Sequence, residues 1–197
     1  MATYQVIADM GETLVDLLTK ETAGMFSQPP PVPPSPEVIV ELETPDKFAD
    51  HEHPKIPTIS IFLYRIAINS ETRCGPRRVL SNGASTRPLL PLELSYFITP
   101  WAIQTKTEHV LAGKILQVFY DHAELERADL KGNSWGPEDS AQLILESLPT
   151  TEHYQIWETT KLPYRMSLTY TARVIGIEPS LAMTYPPVVE AILGGSR

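Results

Sequence analysis

The most constraining stretch of the chain is Thr58–Ile68, Thr-Ile-Ser-Ile-Phe-Leu-Tyr-Arg-Ile-Ala-Ile, which carries apolar side chains at both odd and even positions. Successive residues of an extended chain point to opposite faces, so this run reads as a central strand with both faces covered. Three further segments alternate. Glu37–Glu43 turns Val38, Val40 and Leu42 inward, and Pro91–Thr99 turns Leu92, Leu94, Tyr96 and Ile98 to one face. In Leu162–Ile177, Tyr164, Met166, Leu168, Tyr170, Ala172 and Val174 oppose Arg165, Ser167, Thr169, Thr171 and Arg173. A shorter strand is expected over Ala141–Ser147.

Helical spacing interrupts these strands. Ile7, Met10, Leu14, Leu17 and Leu18 form one stripe within Tyr4–Thr22, and Leu111, Ile115, Val118 and Phe119 form another within Thr105–Asp121. Thr105-Lys-Thr-Glu108 has the form of a capping box opening the second helix. A short helix is expected from Thr150 or Thr151 to Trp157, capped by one of those threonines. Helices that separate blocks of strands predict an α+β domain, with two long amphipathic helices on a mostly antiparallel or mixed sheet. We expect one domain over 1–178 and a tail over 179–197. The proline tract at 28–36 reads as an extended connector, 44–57 as a charged surface loop, and 70–88 as a long basic loop.

Charge narrows the function. The net charge is −8, which argues against nonspecific nucleic-acid binding, a mode that needs basic surface to displace counterions. Residues 1–60 and 121–158 are strongly acidic, whereas 71–88 carries Arg73, Arg77, Arg78 and Arg87 against Glu71 alone. Such asymmetry suits a basic loop of one subunit docking on an acidic face of another. No apolar run reaches the roughly 18 residues needed to span a bilayer, and the acid-bearing N-terminus does not read as a secretory signal. Cys74 is the single cysteine, so neither an intramolecular disulfide nor a cysteine-built zinc site is expected.

Motifs for chemistry are missing. The sequence has no glycine-rich phosphate loop before a helix and no Gly-x-Ser-x-Gly elbow. Cys74 lies beside Arg73 but has no local histidine base. His51-Glu52-His53 is the best metal candidate by residue type, yet it sits in a proline-flanked loop without diagnostic partners, so no metal, cofactor or catalytic residue is assigned. His122 reads as a core or helix-end histidine. Tyr96, Phe97, Trp101, Trp157, Tyr164 and Tyr170 read as core aromatics rather than a base-stacking platform.

Four segments in register carry a resemblance: Ile61–Asn69 followed by Arg73, Arg87–Trp101, His109–His122 and Leu162–Val174. Together they resemble the N-terminal domain shared by cap proteins of extracellular contractile injection systems of the antifeeding-prophage type, from the first helix to about Glu178. Glu93 and Ser95 depart from the aspartate and histidine expected at their positions. The resemblance implies a structural, non-catalytic tail terminator. Such a protein forms a homo-hexameric ring that ends tube and sheath polymerisation at the baseplate-distal end. It implies partners in the tube, the sheath and the chain itself, with room for a second cap paralogue. The lone cysteine and the N-terminus favour folding in the cytoplasm, and the resemblance implies that the protein then joins a particle, released or membrane-associated, without itself inserting in a membrane. Arg73, Arg77, Arg78 and Arg87 are the candidate assembly contacts. A module that binds extended peptides and a hydrolase with a dispersed site remain as alternatives.

Overall fold

A computed structural model of the chain describes residues 3–26, 38–51, 54–69, 78–79 and 85–179. The first helix, α1, runs over Val6–Thr22; of the stripe read from the sequence, Met10, Leu14 and Leu18 are completely buried and Ile7 and Leu17 partly so, while Val6, outside that stripe, is completely buried as well. The second, α2, spans Thr105–Asp121 and buries Leu111, Ile115, Val118 and Phe119. Both lie on one face of a six-stranded sheet in the order β1-β2-β5-β8-β7-β6. Its strands are β1 (Ile39–Leu42), β2 (Thr58–Ile68), β5 (Leu90–Trp101), β6 (Glu124–Leu125), β7 (Ala141–Glu146) and β8 (Leu168–Ile177). Every pairing is antiparallel except β1 with β2. Two parallel neighbours need a crossover between them, and residues 43–57 provide it. The expected α+β class holds, with a mixed, mostly antiparallel sheet.

The parity of β5 separates two cores. Leu92, Leu94, Tyr96 and Ile98 meet α1 and α2 together with Ile59, Ile61, Leu143, Tyr170 and Ala172. Phe97 and Trp101 point the other way and join Phe48 and Trp157 in a second cluster. Each fully buried side chain of this size contributes about 1.5–3 kcal/mol, so the smaller cluster is enough to hold its covering elements. Those are a 3-10 helix over Pro45–His51, which supplies Phe48, and α3 (Thr150–Thr160), which supplies Trp157. On the α1 side, the 131–135 turn is clamped by two side chains. Asp9 accepts from the Ser134 amide at 3.1 Å, and Thr13 Oγ1 accepts from the Lys131 amide at 2.9 Å. Trp135 inserts into the main core, and its indole donates to Lys131 O at 2.7 Å.

Several expectations need correction. The 44–57 segment is not only a surface loop, because Phe48 is 1% exposed beneath it. Leu42 does turn toward α1, where its methyl groups lie against Gly11, but it stays 44% exposed because β1 ends there at the rim of the helix. Thr105 caps nothing. The residue before α2 is Gln104, without a side-chain cap, and the Glu108 carboxylate reaches back to Ala102 N–H at 3.4 Å and pairs with Arg165. Neither Thr150 nor Thr151 caps α3, which follows Pro149 and continues to Thr160, about one turn beyond its anchor Trp157. The final strand begins at Leu168, not Leu162, because its partners begin there: Leu168 faces Ile98 and Thr169 faces Glu146. Ahead of that point Tyr164 packs toward α3, 4.5 Å from Tyr154 between ring centres, and not with Tyr170. The strand β2 is interior only over Thr58–Ile61, where β1 pairs with it. Beyond a bulge at Leu63/Arg65, Ile66 and Ile68 are exposed.

The 28–36 tract, Cys74 and the tail after Pro179 lie outside the described residues. Within 70–88 a short hairpin is described, β3 (Arg78–Val79) with β4 (Ser85–Thr86), separate from the main sheet.

Candidate assembly surfaces

The half of the second face left uncovered by α3 and the 3-10 helix carries a hydrogen-bonded charged strip across four strands. Arg65 on β2 reaches Glu146 on β7 at 2.7 Å and Ser95 Oγ on β5 at 3.2 Å. Glu146 also accepts from Thr171 Oγ1 on β8 at 2.8 Å and from the Tyr64 hydroxyl at 3.1 Å. One step along, Glu93 on β5 accepts from Asn69 at 2.9 Å and pairs with Arg173 on β8 at 3.1 Å. The bulge in β2 is what turns both Tyr64 and Arg65 to this face. Arg65 and Arg173 are about half exposed, so each ion pair alone adds little stability. As a set they fix where charge is presented.

This strip does not resemble acid–base machinery. Burial, reinforced by the Glu146 charge, pushes the Tyr64 hydroxyl up to about 12, which keeps it a proton-bearing donor at neutral pH. Burial pushes Tyr96 upward too. His153 goes the other way. Its pKa is lowered by burial against Phe97, while Nε2 bonds Ser167 O at 3.2 Å and Nδ1 has no partner. The imidazole is thereby held neutral as a packing group. His122 is a helix-end residue, as read from the sequence, with Nδ1 3.0 Å from Val118 O. Tyr96, Phe97, Trp101, Trp157 and Tyr170 are buried, whereas Tyr164 is 46% exposed.

Of the four arginines singled out by sequence, Arg73 and Arg77 lie outside the described residues. Arg78 pairs with Thr86 in the hairpin, and Arg87 follows Thr86 directly and is exposed, so the hairpin brings these two positions together. The hairpin belongs to the excursion that leaves β2 at Asn69 and returns at Leu90, the same end of the sheet as Glu93 and Arg173. Sequence reasoning gave no assembly role to Arg65, Glu93, Glu146 and Arg173, although it placed Arg173 on the polar face of the last strand; for Arg65 the signal was a charged residue inside an otherwise apolar strand.

Apolar grooves also mark the described surface. One, of about 420 Å³, lies between α2 and β7 and is lined by Leu116, Phe119, Tyr120, Leu143, Leu145 and Tyr170. Tyr120 is 83% and Leu145 55% exposed there. Two others flank Leu42, between α1 and the end of β1. His51 meets Glu43 at 2.7 Å, while Glu52 and His53 lie outside the described residues.

The sequence matches the family described as the Pvc16 N-terminal domain over residues 9–191. No curated protein matches it. Among solved structures it is similar to the sheath/tube terminator of the PVC extracellular contractile injection system in its extended state. That match has 16% identity and a TM-score of 0.62, covering 100% of this chain and 66% of the other. It is also similar to the tube-terminating cap of the anti-feeding prophage, with 16% identity and a TM-score of 0.60, covering 97% of this chain and 60% of the other. At that identity the likeness establishes the fold. The chain spans a little under two thirds of the length of these proteins.

Proposed function

The chain belongs to the Pvc16 N-terminal domain family, and on that premise we propose that it is the structural cap of a contractile, phage-tail-like injection particle. In this reading it ends tube and sheath polymerisation at the end farthest from the baseplate. The observation that carries the reading is a single fold shared along the chain with two proteins that are both terminators.

The physical logic is that of a stacked polymer. Each tube or sheath layer leaves exposed a copy of the interface it has just used, so growth stops only when a subunit matches that interface on one side and offers no copy on the other. A ring of identical subunits needs unlike surfaces on each protomer, and the acidic segments and basic 71–88 segment are unlike in charge. We assign the contacts to Arg73, Arg77, Arg78 and Arg87, reaching an acidic face of the next protomer or the tube and sheath. The ring is a homo-hexamer. Its function is carried by shape, and no bond is made or broken. No helix among the described residues is long and apolar enough to cross a membrane.

The test is imaging of particles from cells lacking this protein, with the wild-type chain and an Arg77→Glu/Arg78→Glu variant supplied back. Tubes and sheaths of uncontrolled length, restored by the wild-type chain and not by the folded variant, are expected. Particles of normal length without the protein would overturn the cap reading. Full rescue by the variant would overturn only the arginine assignment.

A further inference from the structure

Away from those surfaces, three metal-ligating side chains converge where the 3-10 helix folds back over β1. Glu43 follows β1 directly, and its amide still bonds Ile61 O at 3.0 Å, so the chain keeps strand geometry there. Glu41 and Glu43 therefore point to one face, opposite Val40 in the main core. On that face His51 closes in from the end of the 3-10 helix. One ligand atom from each of the three lies within 4.8 Å of the others. His51 is seated on Trp101, with ring centres 5.6 Å apart, and its Nε2 is 2.7 Å from a Glu43 oxygen. The His51 and Glu43 side chains are only 13% and 11% exposed, whereas Glu41 is exposed.

The cluster sets two carboxyl groups beside one imidazole, each offering a ligand atom within 4.8 Å of the others. Two carboxylates packed together in a half-dry site repel unless positive charge stands between them. Lys55 lines the adjoining cleft of about 330 Å³ together with Asp50, so its ammonium is the competing source. A divalent ion would satisfy both carboxylates and the imidazole at once.

The donor set also selects the ion. One imidazole nitrogen and two carboxylate oxygens suit a first-row divalent metal, zinc above all, and are too few and too nitrogenous for calcium, which takes about six to eight oxygens. Ligand atoms around a tetrahedral zinc stand roughly 3.3 Å apart, from bond lengths near about 2.0–2.2 Å. The His51–Glu43 pair would open by about half an ångström, and exposed Glu41 would swing in. A fourth ligand would be water, or Asp50 from the cleft that it lines.

We propose that Glu41, Glu43 and His51 form a binding site for a first-row divalent cation, typified by zinc. Bound there, the ion staples the 43–57 crossover to the sheet's edge strand. This site does not depend on the cap reading, since it rests only on the geometry of one protomer.

The test is titration calorimetry of the chelator-stripped full chain with zinc chloride, repeated with calcium chloride. One zinc per chain, at least a hundredfold tighter than calcium, is expected. Glu41→Gln, an exposed change that leaves the fold intact by circular dichroism, should weaken zinc at least tenfold, and His51→Ala should abolish it. His109→Ala, on the exposed face of α2, should change nothing. Cobalt substitution reads the same site optically, and its tetrahedral absorption should disappear in Glu41→Gln. No saturable zinc binding overturns the assignment, as does binding that survives in both Glu41→Gln and His51→Ala.

Discussion

Trp101 offers the sharpest test of how the second core is built. Its side chain is fully buried, its indole N–H donates to Ser60 Oγ at 2.8 Å, and Ser60 is itself fully buried. The ring touches Phe48, with centres 5.5 Å apart, and Trp157, with centres 6.0 Å apart. The Arg165 guanidinium carbon lies 5.1 Å from the ring centre. Trp101→Phe keeps an aromatic ring but strands the Ser60 hydroxyl, at about 1–3 kcal/mol for a buried group left unpaired. The vacated volume adds roughly 24 cal/mol per Å³. The sum is about 2–4 kcal/mol, or a melting-point drop of about 4–16 °C for a domain of this size. Ser60→Ala alone strands the indole N–H and should cost about 1–3 kcal/mol. Making both changes removes donor and acceptor together. Urea unfolding followed by circular dichroism should therefore show the double variant more stable than the summed single losses, by about 1 kcal/mol or more. Additivity to within about 0.5 kcal/mol would refute the hydrogen bond as a stabilising element. A Trp101→Phe loss below about 0.5 kcal/mol would refute the packing argument as well.

Two further outcomes follow from local geometry. Gly132 and Gly24 both have left-handed backbone, at φ +84° and +77°, but a Cβ on Gly132 would stand 2.1 Å from the Asp9 carboxylate, while one on Gly24 meets open space. Gly24→Ala should therefore cost only the conformational term of about 1–2 kcal/mol. Gly132→Ala should cost clearly more, because it also displaces Asp9 from Ser134, and thermal melts of the two variants side by side measure the difference. The second outcome concerns pH. Burial lowers the His153 pKa below the ordinary 6.5, so the unfolded chain takes up the proton first. Stability should be fully present above about pH 6.5 and decline as pH falls below it. Protonation would also make Nδ1 a donor with no acceptor. Melting points across that range should fall less steeply in His153→Phe than in the wild type, and equal slopes would remove His153 from the account.

How far the sequence reaches can be judged element by element. The periodicities of Val6–Thr22 and Thr105–Asp121 placed both long helices within about two residues of their ends, because an amphipathic helix writes its buried stripe into neighbouring residues. The alternation of Leu92, Leu94, Tyr96 and Ile98 likewise named one face of β5. End points were less legible. Residues 162–167 alternate as well as Leu168–Ile177 does, and only the register of β5 and β7 decides where pairing starts. The threonines at the starts of α2 and α3 read as caps but fall inside the helices, and Glu108 is drawn instead to Ala102 and Arg165, a partner 57 residues away in the chain.

The surfaces divide in the same way. That 71–88 is basic and the flanking regions acidic is a property of composition, readable without any fold, and the resemblance to terminator domains rested on strand and helix segments that carry their own patterns. The strip of Arg65, Glu93, Glu146 and Arg173 was not readable, nor was the cluster of Glu41, Glu43 and His51. Each is assembled from segments far apart along the chain, or from a strand and a crossover whose meeting depends on Phe48 finding Trp101. Local patterns are set by interactions between near neighbours and survive in the bare sequence. Convergence of distant side chains is set by sheet order and core packing, and so it existed only once the tertiary structure had formed.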